Sequence, residues 1–415
     1  MAVIKAFKAL RPLKDSADKV ASVPYDVVNT EEAKHLAEGN PLSFLRVTRS
    51  EIELKENIDP YSPEVYNKAK ENLQRLISQA PLKVDEIEHF YLYRLEMDGR
   101  AQIGIAAAFS IDDYDNNVIL KHEKTRKVKE DDRTNHIVTT GAQTGPVFLT
   151  YKPVRNIDSV VDETTKQNQL LYDFTSSDGI KHTIWILPDK FNKTIVDEIA
   201  NVKNLYIADG HHRAASASRA RKVKQESNPR HTGKEEYNYF LAVLFPADQL
   251  KILPYNRVVL DMNGKSKDEF FNEVSEKFQI EKTKTTQPDK QKTFGMYIDG
   301  EWFTLTPKDL ILASNSLSKS VAETLDVSVL QDFLLNPILG IDDPRTNKRI
   351  DFVGGIRGTK ELEKLVNIGK AAVAFSLFPV SVNDLMNISD AGEIMPPKST
   401  WFEPKLRDGL LVHLI

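Results

Sequence analysis

The sequence predicts an α+β fold built from mixed, largely antiparallel sheets and divided into two regions. Asp-Gly pairs stand between runs of β-branched and aromatic residues, which is typical of β-hairpins. Helical patterns interrupt the strands irregularly, without the strict alternation of a βαβ fold. The chain has 415 residues, which is too long for one ordinary core.

Hairpin turns are predicted where an Asp-Gly pair separates two apolar runs, because both residues accept the positive φ of a two-residue loop. Three pairs fit this description: Asp98-Gly99, Asp178-Gly179 and Asp299-Gly300. A fourth pair, Asp408-Gly409, also lies next to an apolar run. Antiparallel sheet is therefore expected to be abundant.

Helix signals are fewer than strand signals. They predict helices at 30–37, 62–78, 267–278, 319–335 and 360–368, with Thr30 as the N-cap of the first. The pattern changes near residues 250–265, where the strand NYFLAVLFP gives way to a helix and a new hairpin. We therefore assign residues 1–260 to a first domain with hairpin insertions, and 261–415 to a second α+β region that contributes a loop to the cleft of the first.

Composition excludes several classes of function. Lys and Arg total 56 against 60 Asp and Glu, a net charge of −4, so no broad basic field is available for a nucleic-acid backbone. The absence of cysteine excludes disulfides, thiolate zinc sites and a cysteine nucleophile. No apolar run approaches the length of a membrane span or a signal peptide. We expect a cytoplasmic protein without a membrane or nucleic-acid partner.

A fifth Asp-Gly pair differs from the others, because a strand precedes it and a helix follows it. The apolar run LYIA (205–208) leads into Asp209-Gly210, and the next residues, HHRAASASRARKVKQES, favour a helix. Such a junction directs backbone N–H groups and the positive end of the helix dipole at one point. His211, His212 and Arg213 add donors for a polyanion there, and Asp209 could hold Mg²⁺ or accept a proton from a hydroxyl group. The turn therefore predicts a phosphate-handling site.

Two other interpretations of this turn were weighed. An isolated Asp-Gly-His is usually only a capped turn, but the adjacent histidines, the arginine and the small-residue helix favour a functional site. The second interpretation is a zinc site at the histidine pair. Adjacent side chains point apart, and no third ligand stands at a recognisable spacing, so metal binding by the pair is disfavoured.

Three further segments carry candidate residues. The charged segment 121–133 is either a solvated loop or a loop that brings His122, Glu123 and Arg133 to the site. Asp26, in SVPYDVV, could be a helix cap, the interpretation that we favour, or a functional acid. Lys398, in the proline-stiffened MPPKST, is either an accident of the surface or part of a ligand clamp.

Taken together, several segments resemble the domain-of-unknown-function 1015 family along the whole chain. The resemblance rests on SVPYDVV (22–28), NPLSFLRVTRSEI (40–52), HEKT (122–125), PVF (146–148), IADGHHRAASA (207–217), LPYNRVV (253–259) and MPPKSTWFEPKL (395–406). The DGHHR piece is also similar to the Asp-Gly-His-x-Arg motif of the ParB and sulfiredoxin superfamily, in which a strand-to-helix turn cradles nucleotide phosphates. Sulfiredoxin's cysteine is absent, so covalent sulfinic acid repair is ruled out.

The resemblance implies a ParB/sulfiredoxin-like, nucleotide-binding first domain and a kinase activity. Free serine kinases of that superfamily phosphorylate L-serine, so L-serine is the expected acceptor, ATP or ADP the donor and Mg²⁺ the metal. The alternative is a ParB-like nucleotide switch without a small-molecule acceptor, although no helix-turn-helix or basic face is evident. The oligomeric state is left open, with a homodimer as one candidate.

The resemblance also implies roles for the candidate residues. Gly210, His211, His212 and Arg213 would hold the nucleotide phosphates, and Asp209 would engage the metal or the acceptor hydroxyl. The base would be Asp26 or Glu123. The substrate or the nucleotide would also be contacted by His122, Arg133 and Lys398.

Overall fold

The computed structural model describes residues 1–166, 170–316 and 320–415. The chain forms two compact units, the first made of Met1–Leu250 with Pro404–Ile415 and the second of Lys251–Glu403. The sequence-based division differs from this arrangement, because it assigned all of 261–415 to the second region. The final segment returns to the first unit, where Val412 and His413 pair with Leu10 and Ala9.

The strands alternate irregularly with the helices along the chain. In chain order they are β1 (Ile4–Lys5), β2 (Ala9–Pro12), β3 (Leu82–Val84), β4 (Tyr91–Met97), β5 (Arg100–Ser110), β6 (Ile119–Leu120), β7 (Ala142–Gln143), β8 (Val147–Tyr151), β9 (Leu170–Thr175), β10 (Lys181–Ile186), β11 (Leu205–Asp209), β12 (Tyr239–Pro246), β13 (Ile252–Leu253), β14 (Tyr255–Val259), β15 (Phe278–Thr283), β16 (Phe294–Ile298), β17 (Glu301–Pro307), β18 (Ile350–Gly354), β19 (Val373–Leu377), β20 (Trp401–Phe402) and β21 (Val412–Leu414).

The helices range from single turns to long segments. In chain order they are α1 (Ala17–Val20), α2 (Thr30–Ala37), α3 (Leu45–Thr48), α4 (Pro63–Ser78), α5 (Ile111–Asp115), α6 (Lys127–Thr140), α7 (Arg155–Lys166), α8 (Asn192–Asn201), α9 (His211–Ser227), α10 (Lys267–Lys277), α11 (Asp309–Ser316), α12 (Asp326–Leu330), α13 (Gly358–Asn367) and α14 (Val382–Asp390). Among the described residues, no helix has the length and apolar character that a membrane crossing requires.

Each unit contains a large sheet and a smaller one. The first unit has the strand order β6-β11-β8-β12-β5-β4-β10-β9, with β1 also on β5, and the smaller order β3-β2-β21-β7. The second unit has β15-β17-β16-β19-β14-β18 and the pair β13-β20. The pairs β6–β11 and β8–β12 are parallel, whereas hairpin and long-range pairs such as β4–β5 and β5–β12 are antiparallel. The predicted α+β class with mixed, largely antiparallel sheets is confirmed.

The three predicted hairpins are present as β4–β5, β9–β10 and β16–β17. Asp98 and Gly99 have φ of 52° and 73°, and Asp299 and Gly300 have φ of 52° and 80°. These values are those of a two-residue turn with two left-handed positions, which is the property that predicted them.

The predicted helices are found with some corrections. The helix at 30–37 is α2, but its N-cap is Asn29 and not Thr30: the Asn29 side chain accepts the Glu32 N–H at 2.9 Å, and the Glu32 carboxylate accepts the Asn29 N–H at 2.9 Å. The start of the helix predicted at 319–335 lies outside the described residues. The rest of that segment forms a 3₁₀ turn (Ala322–Thr324), then α12, then a π-helical turn (Gln331–Leu335).

Helix α6 occupies most of the segment that could have been a charged loop. Its buried positions include Asp132, Thr134 and His136 as well as Ile137. Because the buried face is largely polar, the helix lacks the apolar periodicity on which sequence-based helix prediction depends.

The core of the first unit holds the β11–α9 junction in place. Ile207 of β11, Val147 and Leu149 of β8, and Ala214 and Ala217 of α9 belong to one buried apolar cluster. The small alanine side chains let α9 pack closely against the sheet. The first turn of α9 is therefore attached to a rigid element, as a binding site requires.

Candidate functional site

The turn between β11 and α9 depends on glycine. Gly210 has φ +91° and ψ 27°, a left-handed conformation that strains other L-residues. A Cβ there would also lie 3.4 Å from the Val147 Cα. Gly210 supplies no side-chain cap to α9, and the N–H groups of His211 and His212 precede the first intrahelical hydrogen bond, which runs from the Arg213 N–H to the Gly210 carbonyl.

Asp209, the last residue of β11, pairs with a lysine from the C-terminal segment. Its Oδ2 accepts a hydrogen bond from Lys405 Nζ at 2.8 Å, and its Oδ1 accepts the Gly210 N–H at 2.8 Å. Burial acts to raise the pKa of Asp209, but the charges of Lys405 and Arg213 outweigh it and hold the pKa well below its usual range. Asp209 is therefore ionised at neutral pH.

The hydrogen bonds of Asp209 compete with its predicted role in binding Mg²⁺. Both carboxylate oxygens already accept hydrogen bonds, one of them from an ammonium group. Across residues 1–166, 170–316 and 320–415, no group of three or more His, Cys, Asp or Glu side chains could hold a metal ion. These residues do not fit a resident Mg²⁺, and the metal-binding role of Asp209 stays a prediction.

Arg213 joins the turn to a distant loop. Its Nη1 donates to the Pro146 carbonyl at 2.8 Å, and its Nη2 lies 3.2 Å from Asp26 Oδ1. Asp26 does not cap α2, since Asn29 does, and its carboxylate pairs with Arg213 of the Gly210 turn instead. The structure thus brings together two candidate residues that are far apart in sequence.

The histidines of the turn are not cations. His211 is buried, and burial lowers its pKa to about 3. The His122 N–H points at His211 Nε2 at 3.4 Å, and His211 Nδ1 lies 3.8 Å from Glu123 Oε2. This geometry places the proton of the neutral ring on Nδ1, facing Glu123.

His122 and His212 complete this side of the turn. The rings of His122 and His211 pack edge to face with centroids 4.4 Å apart. Burial lowers the pKa of His122 well below its usual value and also lowers that of His212. Because all three rings favour the neutral form, the histidines supply no positive charge for phosphate binding at neutral pH.

Arg133 lies across an aromatic ring from Arg213. Its Nε and Nη2 each lie 3.0 Å from a carboxylate oxygen of Asp132. Its guanidinium carbon lies 4.1 Å from the centroid of the Tyr25 ring, and that of Arg213 lies 5.6 Å from the same centroid. Tyr25 therefore contacts both guanidinium groups.

A cavity of the first unit opens between these groups. Its lining includes Tyr25, Arg133, Arg213, Gly145 and Asp408. Asp408 is 1% exposed, and burial raises its pKa to about 7 although Arg213 and Arg133 act in the opposite direction. Sequence reasoning noted Asp408-Gly409 only as an Asp-Gly pair next to an apolar run, and it overlooked Lys405, although Lys405 lies in the MPPKSTWFEPKL motif.

Lys398 belongs to the second unit. Its ammonium nitrogen lies 5.2 Å from the centroid of the Tyr255 ring, and its carbonyl accepts a hydrogen bond from Arg257 Nη2 at 3.2 Å. Both neighbours lie in the same unit. The expectation that Lys398 contributes to the site of the first unit stays a prediction.

A family model described as "Protein of unknown function (DUF1015)" matches residues 4–328. The chain belongs to the DUF1015 family. Solved structures similar to this DUF1015 chain include a mutant free serine kinase in complex with AMP, with a TM-score of 0.35, 10% identity, and coverage of 73% of this chain and 91% of that chain. SbnI with a C-terminal truncation, from Staphylococcus aureus, has a TM-score of 0.39 and 12% identity, with coverage of 74% and 87%.

A conserved hypothetical protein from Pyrococcus furiosus is also similar to the DUF1015 chain, with a TM-score of 0.35, 12% identity, and coverage of 75% and 95%. Among curated proteins the sequence finds no match.

Proposed function

We propose that this chain is a kinase that binds ATP or ADP at the Gly210 turn and transfers a phosphoryl group to the hydroxyl of a small metabolite, with L-serine as the acceptor. One observation carries the proposal. The uncapped N-terminus of α9 lies together with Arg213, the Asp209–Lys405 pair and Asp26, which are the kinds of group that phosphoryl transfer uses.

The phosphate contacts follow from this geometry. The N–H groups of His211 and His212, at the start of a 17-residue helix, can donate to phosphate oxygens, and the helix dipole favours negative charge there. Arg213 has five N–H donors, and within the described residues its hydrogen bonds go to Pro146 and Asp26, so donors remain for a phosphate. Lys405, held by Asp209, supplies the second cation.

In the transfer step, the acceptor hydroxyl oxygen forms a bond to the terminal phosphorus of the nucleotide. The bond from that phosphorus to the bridging oxygen breaks, and the shorter nucleotide leaves with the electron pair. The hydroxyl proton goes to a carboxylate. We assign this role to Asp26, because its contact with Arg213 places it beside the phosphate that Arg213 would bind. Glu123 instead faces the protonated nitrogen of His211.

L-serine is the finer part of the proposal. A free amino acid presents an ammonium and a carboxylate, so its site needs an acidic and a cationic partner beside the phosphate-binding turn. The cavity that Arg213 lines also contains a carboxyl group, Asp408, and a second guanidinium, Arg133. A phosphate pocket adjoining mixed charges suits a small zwitterionic acceptor.

The test is a product search with matched variants. Purified protein is incubated with Mg²⁺, ATP or ADP and a pool of hydroxylated metabolites that includes L-serine, and mass spectrometry detects phosphorylated species. Arg213→Gln should lower the rate by about 100-fold, the scale of losing one group that stabilises transition-state charge.

Arg221→Gln is the matched control. Arg221 lies further along α9 and is equally buried, with a side-chain exposure of 11% against 13% for Arg213, and it too pairs with carboxylates, those of Asp112 and Asp115. The control should retain the wild-type rate. Nucleotide binding by the wild type without any phosphorylated product would reject the kinase and favour a nucleotide switch.

A further inference from the structure

Among the described residues, the lining of this cavity includes one buried carboxyl oxygen that has no hydrogen-bond partner. Arg133 is paired with Asp132 through two contacts of 3.0 Å, and Arg213 is paired with Asp26 at 3.2 Å. Each guanidinium therefore has its own carboxylate. Asp408 is a third carboxyl group in the same lining, and within the described part of the chain its buried Oδ1 has no hydrogen-bond partner.

The surrounding backbone fixes Asp408 in this position. Its N–H donates to the Ser22 carbonyl at 2.9 Å, and its carbonyl accepts the Ser22 N–H at 3.1 Å. The neighbouring Arg407 is held by an ion pair with Asp178 and by a contact of 3.2 Å between its Nε and His182 Nε2. The main chain therefore cannot shift easily to give the carboxyl group another partner.

The opposite wall of the cavity leaves space for this carboxyl group. Gly145 faces Asp408 so closely that a Cβ on Gly145 would overlap Asp408 Oδ1. Position 145 has no side chain, and the neighbouring buried oxygen is unpaired. These two features indicate a binding site at the Asp408 carboxyl group. An unpaired buried polar oxygen is destabilising, so a ligand that supplies a hydrogen-bond donor offsets that cost.

We propose that Asp408 binds the ammonium group of the amino-acid acceptor in this cavity. The proposal rests on the proposed kinase function and adds to it the residue that distinguishes an amino acid from a hydroxy acid. The two arginines already have carboxylate partners, and within the described residues Asp408 Oδ1 has no hydrogen-bond donor, so the ammonium group would bind at this oxygen. Arg133 and Arg213 can still contact the carboxylate of the acceptor through their remaining N–H donors.

Two other roles for Asp408 predict different kinetics. If Asp408 is a buried neutral acid with a structural role, replacing it should affect all acceptors equally and lower the melting temperature. If Asp408 takes the hydroxyl proton, its replacement should lower kcat for every acceptor and leave the preference among acceptors unchanged. Recognition of the ammonium alone predicts a loss confined to acceptors that carry an ammonium group.

The experiment compares L-serine with L-glycerate, which has a hydroxyl in place of the ammonium, in the wild type and in Asp408→Asn. The wild type should prefer L-serine. The variant keeps the shape of the side chain and should lose about 10- to 100-fold in kcat/KM for L-serine, as expected when a charged hydrogen bond is removed, with little change for L-glycerate or for nucleotide affinity. Equal losses for both acceptors would overturn the proposal.

Two further variants distinguish a specific effect of Asp408→Asn from a general loss of folding. Gly145→Ala would displace the Asp408 carboxyl group without removing it, and it should also raise KM for L-serine more than KM for L-glycerate. Asp113→Asn is the control, since Asp113 is a buried carboxyl group whose Oδ2 accepts the Val3 N–H at 2.6 Å and which does not line the cavity. It should leave the preference between acceptors unchanged.

Binding calorimetry separates a failure of this inference from a failure of the proposed function. If the wild type phosphorylates no acceptor, the kinase proposal fails, and the binding of L-serine and L-glycerate in the presence of ADP then decides the role of Asp408. Tighter binding of L-serine than of L-glycerate, lost in Asp408→Asn, would support recognition of the ammonium. Binding of neither compound, or equal binding of both, would refute it.

Discussion

Replacing Lys405 by Met tests whether the Asp209–Lys405 pair is part of the phosphate site. The substitution removes the ammonium and retains most of the apolar stem. At the observed 2.8 Å, the Coulomb energy of two unit charges is about 1.5 kcal/mol in water and about 6 kcal/mol at an effective dielectric of 20. The Asp209 side chain is 39% exposed and that of Lys405 12%, so screening reduces the stabilisation to about 1–2 kcal/mol.

The pH dependence of this loss has a definite sign. The folded-state pKa of Asp209 is depressed, so the pair stabilises the fold above the unfolded-state pKa of about 4 and ceases to do so as the pH falls through the folded-state pKa. In urea unfolding, the wild type should exceed Lys405→Met in unfolding free energy at pH 7, and the difference should shrink below pH of about 4. A difference that is constant down to the lowest accessible pH would refute the pairing.

The binding measurement separates function from stability. In Lys405→Met, the Kd for ATP or ADP should rise by about 10- to 100-fold, the scale of one charged hydrogen bond to phosphate. Lys5→Met is the matched control, because Lys5 pairs with Glu236 at 2.7 Å in the same unit with comparable exposure, 25% and 42%. It should cost similar stability and leave nucleotide affinity unchanged. Equal nucleotide affinity in the wild type and both variants would exclude Lys405 from the phosphate site.

Three further predictions concern the turn and its surroundings. Gly210→Ala places a side chain at φ +91° and should cost about 1–2 kcal/mol of unfolding free energy and weaken nucleotide binding; an unchanged Kd would remove the turn from the site. His211→Gln should make the fall in unfolding free energy below pH of about 6.5 shallower, because the folded-state pKa of about 3 means that only the unfolded chain takes up that proton; a parallel slope in urea titrations would contradict the burial of a neutral ring. Asn29→Ala removes the capping box of α2 and should cost about 1 kcal/mol without altering turnover, which steady-state kinetics and urea unfolding can check together.

Sequence reasoning succeeded where the signal was local. The strand LYIA, the glycine with positive φ and the alanine-rich segment after it predict a strand-to-helix junction, and β11, Gly210 and α9 form one. The hairpins at Asp98-Gly99 and Asp299-Gly300 were predicted for the same reason, since the turn geometry is encoded in the two residues of the loop.

Sequence reasoning was less successful where the structure depends on long-range pairing. Lys405 and Asp408 lie about two hundred residues after the turn that they adjoin, and they reach it because the C-terminal strand β21 pairs with β2 and β7. A contact between segments so far apart in the sequence produces no periodic pattern in either segment, so it cannot be predicted from local sequence. Helix α6 was not predicted for a different reason, which is that its buried face carries Asp132, Thr134 and His136. The Tyr66 hydroxyl donates to Asp132 Oδ1 at 3.2 Å, and His136 Nε2 lies 3.0 Å from the Val47 carbonyl oxygen.

The burial of the histidines changes how the DGHHR segment can act. A pair of imidazoles beside a phosphate-handling turn suggests cations, yet burial of His211 and His122 favours their neutral forms. In the proposed site, the fixed positive charge then comes from Arg213 and Lys405, assisted by the N–H groups of α9. The neutral His211 ring is better suited to orientation: it accepts the His122 N–H through Nε2 and presents Nδ1–H to Glu123. On this interpretation, the histidines keep the segment around His122 against the turn, and the arginine and lysine meet the charge of the nucleotide.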